Sequence, residues 1–360
     1  MPRKNEATWD SLIERSGEQS DRPPKPNLPP VSVLIPVRNE ELNIGRCLEA
    51  LAANSYPHDL MEVLILDGMS EDKTCAIAER YADSGWQLRV IPNSQMNRPA
   101  GLNLGVQEAR AGIILRLDAR TLIPPNYVDK CVETLLLTGA DNVGGLQKPI
   151  WTSPMQEAIG LAMSTPFGVG NAQFRLGGKS GFVDTVYLGC YRREVFERVG
   201  LFDDKAAVIT EEGDLNQRIN QSGGKVYLNA NIEAYYVPRE RLRDQIQVYF
   251  RYGGSRMGAI LKNGAPTSVR QLVAPVFFFL LVAFGAFSVY SSWCRVAFLG
   301  LVASYVACDL GVSIWLALRR RKLGLAPRLM LTFPCMHISF AVGFFKRLLQ
   351  RPKPGFVWPN

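Results

Sequence analysis

The chain is poor in the residues that build metal cages and redox centres. It has 2 His, His58 and His337, far apart, and 7 Cys with no CxxC pair among them. That excludes an obvious zinc site or disulfide framework, and free thiols suit a reducing cytosol. No GxGxxG occupies the strand–helix turns, which sets aside a dinucleotide-binding Rossmann enzyme. No helix-turn-helix pattern or aromatic-and-Arg RNA signature stands out, so no nucleic acid is expected as partner. Residues 1–30 have no apolar core segment and read as a disordered, Pro-rich tail, not a signal peptide. No internal repeat is visible.

What the sequence does have is positive charge and, late in the chain, apolar length. Its 360 residues suggest about two or three domains. The net charge of +8 lies largely in the N-terminal tail and the last third, which with apolar stretches suits an anionic leaflet. Runs rich in Val, Ile and Leu predict strands at 31–37, 61–66, 88–91 and 112–117. Helical patterns fall between them: from the Arg38–Glu41 turn to about Ala53, from Ser70 as N-cap through Tyr81, and near 99–109. This alternation predicts an α/β domain with a mostly parallel sheet. From Asp141 to Pro238 the pattern is less regular and rich in Gly and aromatics. There Thr210 opens a helix that stops at Gly223-Gly224.

Beyond Gln271 the composition changes. Segments 272–290 and 296–318 are each long enough for a hydrocarbon core, which takes about 20 residues. Segment 329–345 is shorter and basic at both ends, and reads as re-entrant or surface-lying. The Arg319–Lys322 cluster predicts a cytoplasmic end for the second span. The expected organisation is a tail at 1–30, a cytosolic domain at 31–270, a membrane region at 271–346 and a basic tail at 347–360. That describes a multi-pass protein of the cytoplasmic (inner) membrane. Asp309 falls mid-span, where an ionisable group is costly, and reads as neutral or paired within the bundle.

Three acidic signals remain: Asp67, Asp118, and the run Glu211-Glu212-Gly213-Asp214. The two Asp each follow an apolar strand run, which puts them at C-terminal strand ends, where open α/β sheets bind ligands. Plain structural roles exist for all of them: an Asx-type turn at Asp67, a strand-end cap at Asp118, and compensation of the helix dipole by the acids behind Thr210. Gathered at one sheet edge, however, three carboxylates suit a site that holds a sugar nucleotide, neutralises its diphosphate and deprotonates an acceptor.

The ordered motifs carry a resemblance. Val31-Ser32-Val33-Leu34-Ile35-Pro36-Val37-Arg38-Asn39-Glu40 resembles the opening of glycosyltransferase family 2, and Asp67-Gly68-Met69-Ser70-Glu71-Asp72-Lys73-Thr74 its acidic turn. Arg98-Pro99-Ala100-Gly101-Leu102-Asn103, Tyr187–Arg193, Glu211–Leu215 and Gln247–Gly253 follow in the family's order. The likeness covers roughly 31–256 and is nearest to the membrane-associated transferases of succinoglycan synthesis. It implies a GT-A-type domain that inverts the anomeric centre, with a nucleotide sugar, UDP-linked, as donor. Because the domain precedes apolar spans, the expected acceptor is a lipid-linked saccharide or polyprenyl phosphate, in exopolysaccharide or surface-glycan synthesis. The donor-binding positions are Pro36, Arg38, Glu40, Asp67, Asn103, Asp118, Arg120, Arg239, Arg251 and Arg256. Asp118 is the implied ligand of a divalent cation (Mg²⁺ or Mn²⁺) with Arg120 paired to phosphate, the alternative being that Arg120 marks a loss of metal dependence. Glu212 is the implied base, with Glu211 and Asp214 as rivals. Four positions depart from the pattern: Gly68 replaces a second Asp, Arg120 the last Asp of Asp-x-Asp, and Glu212 an Asp, while Arg251-Tyr252 differs from the Gln-x-x-Arg-Trp of processive polymerases. The alternatives are a catalytically weakened nucleotide-sugar-binding membrane protein and a lipid-embedded scaffold.

Overall fold

The computed structural model describes residues 28–82, 87–205, 209–266 and 268–350. Most of the tail at 1–30 and of the basic tail from 347 lies outside them. The chain divides into two compact units. One holds the chain up to Ile150 together with Gln173–Val237; the other holds Trp151–Ala172 and the chain from Pro238 onward. The compact units part at Val237.

The first unit is built on one mixed sheet. Strands β1 (Val31–Val37), β2 (Met61–Asp67), β3 (Gln87–Pro92) and β4 (Ile113–Arg116) are parallel, in the order β3-β2-β1-β4. The near-continuous aliphatic runs of β1, β2 and β4 are those of strands covered on both faces, and β2 and β4 are buried throughout, whereas the edge strand β3 is partly exposed. Helix α1 (Ile44–Ala52) buries Ile44, Cys47, Leu48 and Leu51, while α2 (Thr74–Ala82) follows β2. Helix α3 (Arg98–Glu108) rests directly on the sheet at Gly105, where a Cβ would lie 2.6 Å from Leu66 Cδ1. After β5 (Thr121–Leu122) and α4 (Tyr127–Thr138) the parallel pattern ends. Strand β8 (Tyr187–Arg192) runs antiparallel to both β4 and β6 (Asn142–Pro149), and β9 (Val226–Tyr236) pairs parallel with β6. The short β7 (Gly181–Phe182) and β5 add antiparallel pairs to β9. The reversal at β8 falls in the Gly- and aromatic-rich stretch.

One expected boundary moves. Helix α2 begins at Thr74, not behind Ser70. The Ser70 hydroxyl instead accepts the Asn39 N–H at 2.9 Å, and Asp72 Oδ1 accepts the Thr74 N–H at 3.0 Å. Downstream, α6 (Glu194–Val199) and α7 (Glu211–Gln221) follow, the latter opening behind Thr210 as expected.

The second unit is helical. Its α5 (Pro154–Ala162) starts with a Ser153–Gln156 capping box. Helices α8 (Leu242–Asn263), α9 (Arg270–Phe287), α10 (Ser292–Arg320) and α11 (Ala326–Leu349) follow, the last three long and apolar enough to cross a membrane. The third apolar segment is thus part of one continuous 24-residue helix, without the break of a re-entrant loop. Helices α8 and α11 touch backbone to backbone. A Cβ at Gly253 would lie 1.9 Å from Phe340 O, and one at Gly343 1.9 Å from Phe250 O. The missing side chains at Gly253 and Gly343 let the two helix backbones approach this closely. Asp309 is buried and accepts a 3.1 Å hydrogen bond from Ser313 in its own helix. Lys322 reaches the buried Glu157 carboxylate at 2.9 Å.

Candidate active site

The C-terminal ends of β2, β1 and β4, neighbours in the sheet, deliver three loops to one edge. The loops are tied to each other. Asn39 Oδ1 accepts from Glu71 N at 2.9 Å, and Thr74 Oγ1 accepts from Glu40 N at 2.8 Å. Asp67, 7% exposed, accepts the Ser70 N–H with both oxygens at 3.1–3.2 Å, so it both closes its turn and ends a strand. Asn39 and Met69 adopt φ of 52° and 59°, an uncommon conformation for residues other than Gly. The loops thereby keep one shape at the strand edge. Arg120, at the third position of the Asp118 motif, donates through Nε to both Glu40 oxygens at 2.8 and 3.0 Å, and Glu40 Oε2 also accepts from Asn43 at 2.7 Å.

Behind this rim lies a network of buried charges. Arg116, at the end of β4, donates from Nε and Nη2 to Asp118 Oδ1 at 3.1 and 2.9 Å. Its Nη1 lies 3.0 Å from Glu211 Oε1 and 3.8 Å from Glu212 Oε2. Arg98, first residue of α3, binds Glu211 from the other side, with Nη2 donating to Oε2 at 3.0 Å. The Arg98 Nε and Arg116 Nη1 approaches to Glu211 Oε1 are charge contacts, since neither has hydrogen-bond alignment.

Glu212 is oriented differently. Its Oε1 accepts the Gly189 N–H at 2.8 Å and the Tyr191 hydroxyl at 3.1 Å, and the side chain keeps 14% exposure. The preceding Leu188 has φ 54°, a conformation that costs a bulky residue free energy and often marks a functional site. Gly189 leaves no room for a side chain, because a Cβ would lie 2.3 Å from the Tyr191 ring. Helix α7 is pinned beneath by the Asn142–Asn216–Thr185 hydrogen-bond chain, at 2.7 and 2.9 Å. Asp214 faces away and pairs with Arg218 at 3.0 Å in the same helix.

The electrostatics separate the two roles. Burial pushes the Glu212 carboxyl above its ordinary value, against the pull of Arg116 and the Gly189 N–H. Burial also opposes ionisation of Asp118, but there the charges of Arg116 and Arg98 outweigh it and hold the carboxyl below its ordinary value. Among the described residues no cluster of three metal-binding side chains exists. Asp118 nonetheless fits a cation completed by substrate. Its Oδ1 is taken by Arg116, no hydrogen bond from the described residues reaches Oδ2, and Mg²⁺ sites commonly combine one or two carboxylates with phosphates.

The structure brings together Glu40, Asp67, Asp118, Arg120, Glu211 and Glu212. Pro36 and the exposed Arg38 complete the β1 end. Asn103 is engaged below, exchanging two hydrogen bonds with the Phe202 backbone at 2.8 and 2.9 Å. Arg239, Arg251 and Arg256 belong to the second unit. Four contributors were not singled out as site residues from sequence: Arg98, Arg116, Gly189 and Tyr191. A charged residue inside Ile113-Ile114-Leu115-Arg116-Leu117 is the signal that marks Arg116.

Comparisons with known proteins identify the family. The family model described as Glycosyl transferase family 2 matches residues 32–200. The succinoglycan biosynthesis protein ExoA of Rhizobium meliloti is 30% identical, over 88% of this chain and 94% of that one. A Methanococcus voltae dolichyl N-acetyl-alpha-D-glucosaminyl phosphate 3-beta-D-2,3-diacetamido-2,3-dideoxy-beta-D-glucuronosyltransferase is 26% identical over 89% and 97%. The solved mannosyltransferase PcManGT of Pyrobaculum calidifontis, in complex with GDP-Man and Mn²⁺, superposes with a TM-score of 0.58 at 19% identity, covering 95% of both chains. Motif order, a GT-A-type sheet with its acids at the strand ends, and likeness to ExoA over most of both chains agree: the chain belongs to glycosyltransferase family 2 and is a glycosyltransferase.

Proposed function

We propose that this enzyme adds a single sugar, from a UDP-linked donor, to a lipid-linked saccharide or polyprenyl phosphate, inverting the anomeric centre, in synthesis of an exopolysaccharide or another surface glycan. The observation that carries the mechanism is the Glu212 carboxylate. Gly189 and Tyr191 fix one of its oxygens, while Oε2 has no hydrogen bond among the described residues. Where the acceptor is a saccharide, Glu212 takes the proton of its hydroxyl as the hydroxyl oxygen attacks the anomeric carbon, whereas an ionised polyprenyl phosphate attacks without a base. The bond from that carbon to the nucleoside diphosphate breaks in the same displacement. A base pushed up by burial accepts that proton more readily.

On the donor side, Asp67 receives the base or ribose and Arg120, steered by Glu40, offers its outer N–H groups to phosphate. Asp118 would hold Mg²⁺ or Mn²⁺, which when bound offsets the charge of the departing diphosphate. A lipid-linked acceptor is supported by the apolar helices on the same chain and by the dolichyl-linked substrate in the name of the Methanococcus relative. The Arg319–Lys322 cluster favours the cytosolic side of the cytoplasmic membrane for the catalytic domain. The test is nucleoside diphosphate release by membranes carrying the protein, given UDP-glucose, UDP-galactose, UDP-N-acetylglucosamine or GDP-mannose with Mn²⁺. Release with one donor is expected. Binding of UDP without turnover of any donor would favour a weakened binding protein instead.

A further inference from the structure

Arg116 stands where a buried parallel strand ordinarily carries an aliphatic side chain. It is the last residue of β4, lies on the same face as Ile114, and is 3% exposed. An uncompensated guanidinium there would be costly, so it requires partners. Its three acidic partners are all acids of the site. Two N–H groups converge on Asp118 Oδ1, and Nη1 faces Glu211 Oε1 at 3.0 Å and Glu212 Oε2 at 3.8 Å. Asp118 comes from the loop after β4, whereas the two Glu come from the first turn of α7, almost a hundred positions later. One planar guanidinium therefore spans both, through directed hydrogen bonds to Asp118 and charge contacts to the two Glu.

We propose that Arg116 is the positioning residue of the site, holding the donor-side Asp118 and the base Glu212 in a fixed mutual geometry through a single guanidinium. The proposal rests on the reading of Glu212 as base. Buried as it is, Arg116 acts through these carboxylates. A core ion pair would stabilise the fold without coupling to the transfer step, and that difference is measurable. Lysine keeps the charge but is a point donor that cannot form the fork.

The experiment compares wild type, Arg116→Lys, Glu212→Gln and the double variant. It measures single-turnover transfer from the donor that wild type uses among the four sugars above, UDP affinity with and without Mn²⁺, and thermal unfolding. Arg116→Lys is expected to fold and to slow transfer at least about tenfold, with a smaller change in UDP affinity. In the Glu212→Gln background that loss should shrink to under about threefold, because residues acting as a unit are not additive. An equal loss in both backgrounds, or none, would overturn the proposal. If Arg116→Lys does not fold, Glu211→Gln loosens one anchor of Arg116 and leaves the cation in place. The same non-additivity toward Glu212→Gln is then expected, and an additive or absent loss overturns the proposal. Normal transfer by Glu212→Gln alone would remove the base assignment itself. Collapse there with an additive Arg116 effect would remove only the positioning role.

Discussion

Replacing Glu212 by Gln probes the chemistry with little disturbance of shape. The amide oxygen can still accept from Gly189 N and Tyr191 Oη, at positions now 2.8 and 3.1 Å from the carboxylate. The amide nitrogen would face Arg116, where a 3.8 Å charge contact is lost. Stability should therefore fall only slightly. The catalytic loss is far larger, because an amide cannot accept the acceptor's proton. General-base assistance contributes about 10²–10⁴-fold, equivalent to about 2.7–5.4 kcal/mol at 1.36 kcal/mol per tenfold. Glu211→Gln and Asp214→Asn should cost the transfer step less, since Glu211 is held by Arg98 and Arg116 and Asp214 by Arg218. Single-turnover transfer and donor affinity, measured on all three variants, separate these outcomes. Near-normal turnover in Glu212→Gln with collapse in one neighbour would refute the assignment and move the base along α7.

Turnover should rise with pH through a limb above the ordinary Glu value of 4.5, because the base works only when ionised and burial raises its pKa; a pH–rate profile that falls off only below that value would contradict this. Asp118→Asn should weaken cation-dependent UDP binding, and Arg120→Ala should weaken it with or without Mn²⁺; unchanged affinity of the Asn variant in Mn²⁺ would argue against metal ligation there. Gly253→Ala should destabilise the helical unit by about 1–3 kcal/mol through overpacking against Phe340 O, despite the better helix propensity of Ala; a raised unfolding temperature in detergent would show that α8 and α11 move apart freely. Reporter fusions after Arg256 and after Ser292 should report opposite sides of a membrane, and the same side for both would sink the topology.

The parallel half of the fold was legible because its strands are aliphatic on both faces and its helices periodic. Val31–Val37 forms the strand its composition predicts, and Asp67 and Asp118 end up where the alternation puts them. The antiparallel β8 and the excursion of Trp151–Ala172 into the second unit were not legible, since both depend on long-range pairing that leaves no local period. Ser70 looked like a cap because its type suits one, yet a partner 31 positions away claims its hydroxyl. The acids of the site could be read from type and spacing. The two cations that organise them could not be ranked, because a guanidinium's partners are set by the packing of α3, β4 and α7 together.

The most direct measurement is mass spectrometry of the lipid extract after membranes carrying the protein are incubated with a nucleotide sugar, Mn²⁺ and a lipid-linked acceptor. A product heavier by one sugar residue is expected in wild type and its loss in Glu212→Gln, with the new linkage inverted relative to the donor by NMR. A polymer ladder would contradict single-sugar addition, and retained configuration would contradict the single displacement. No product from any donor, with UDP still bound, would contradict the proposed transfer reaction.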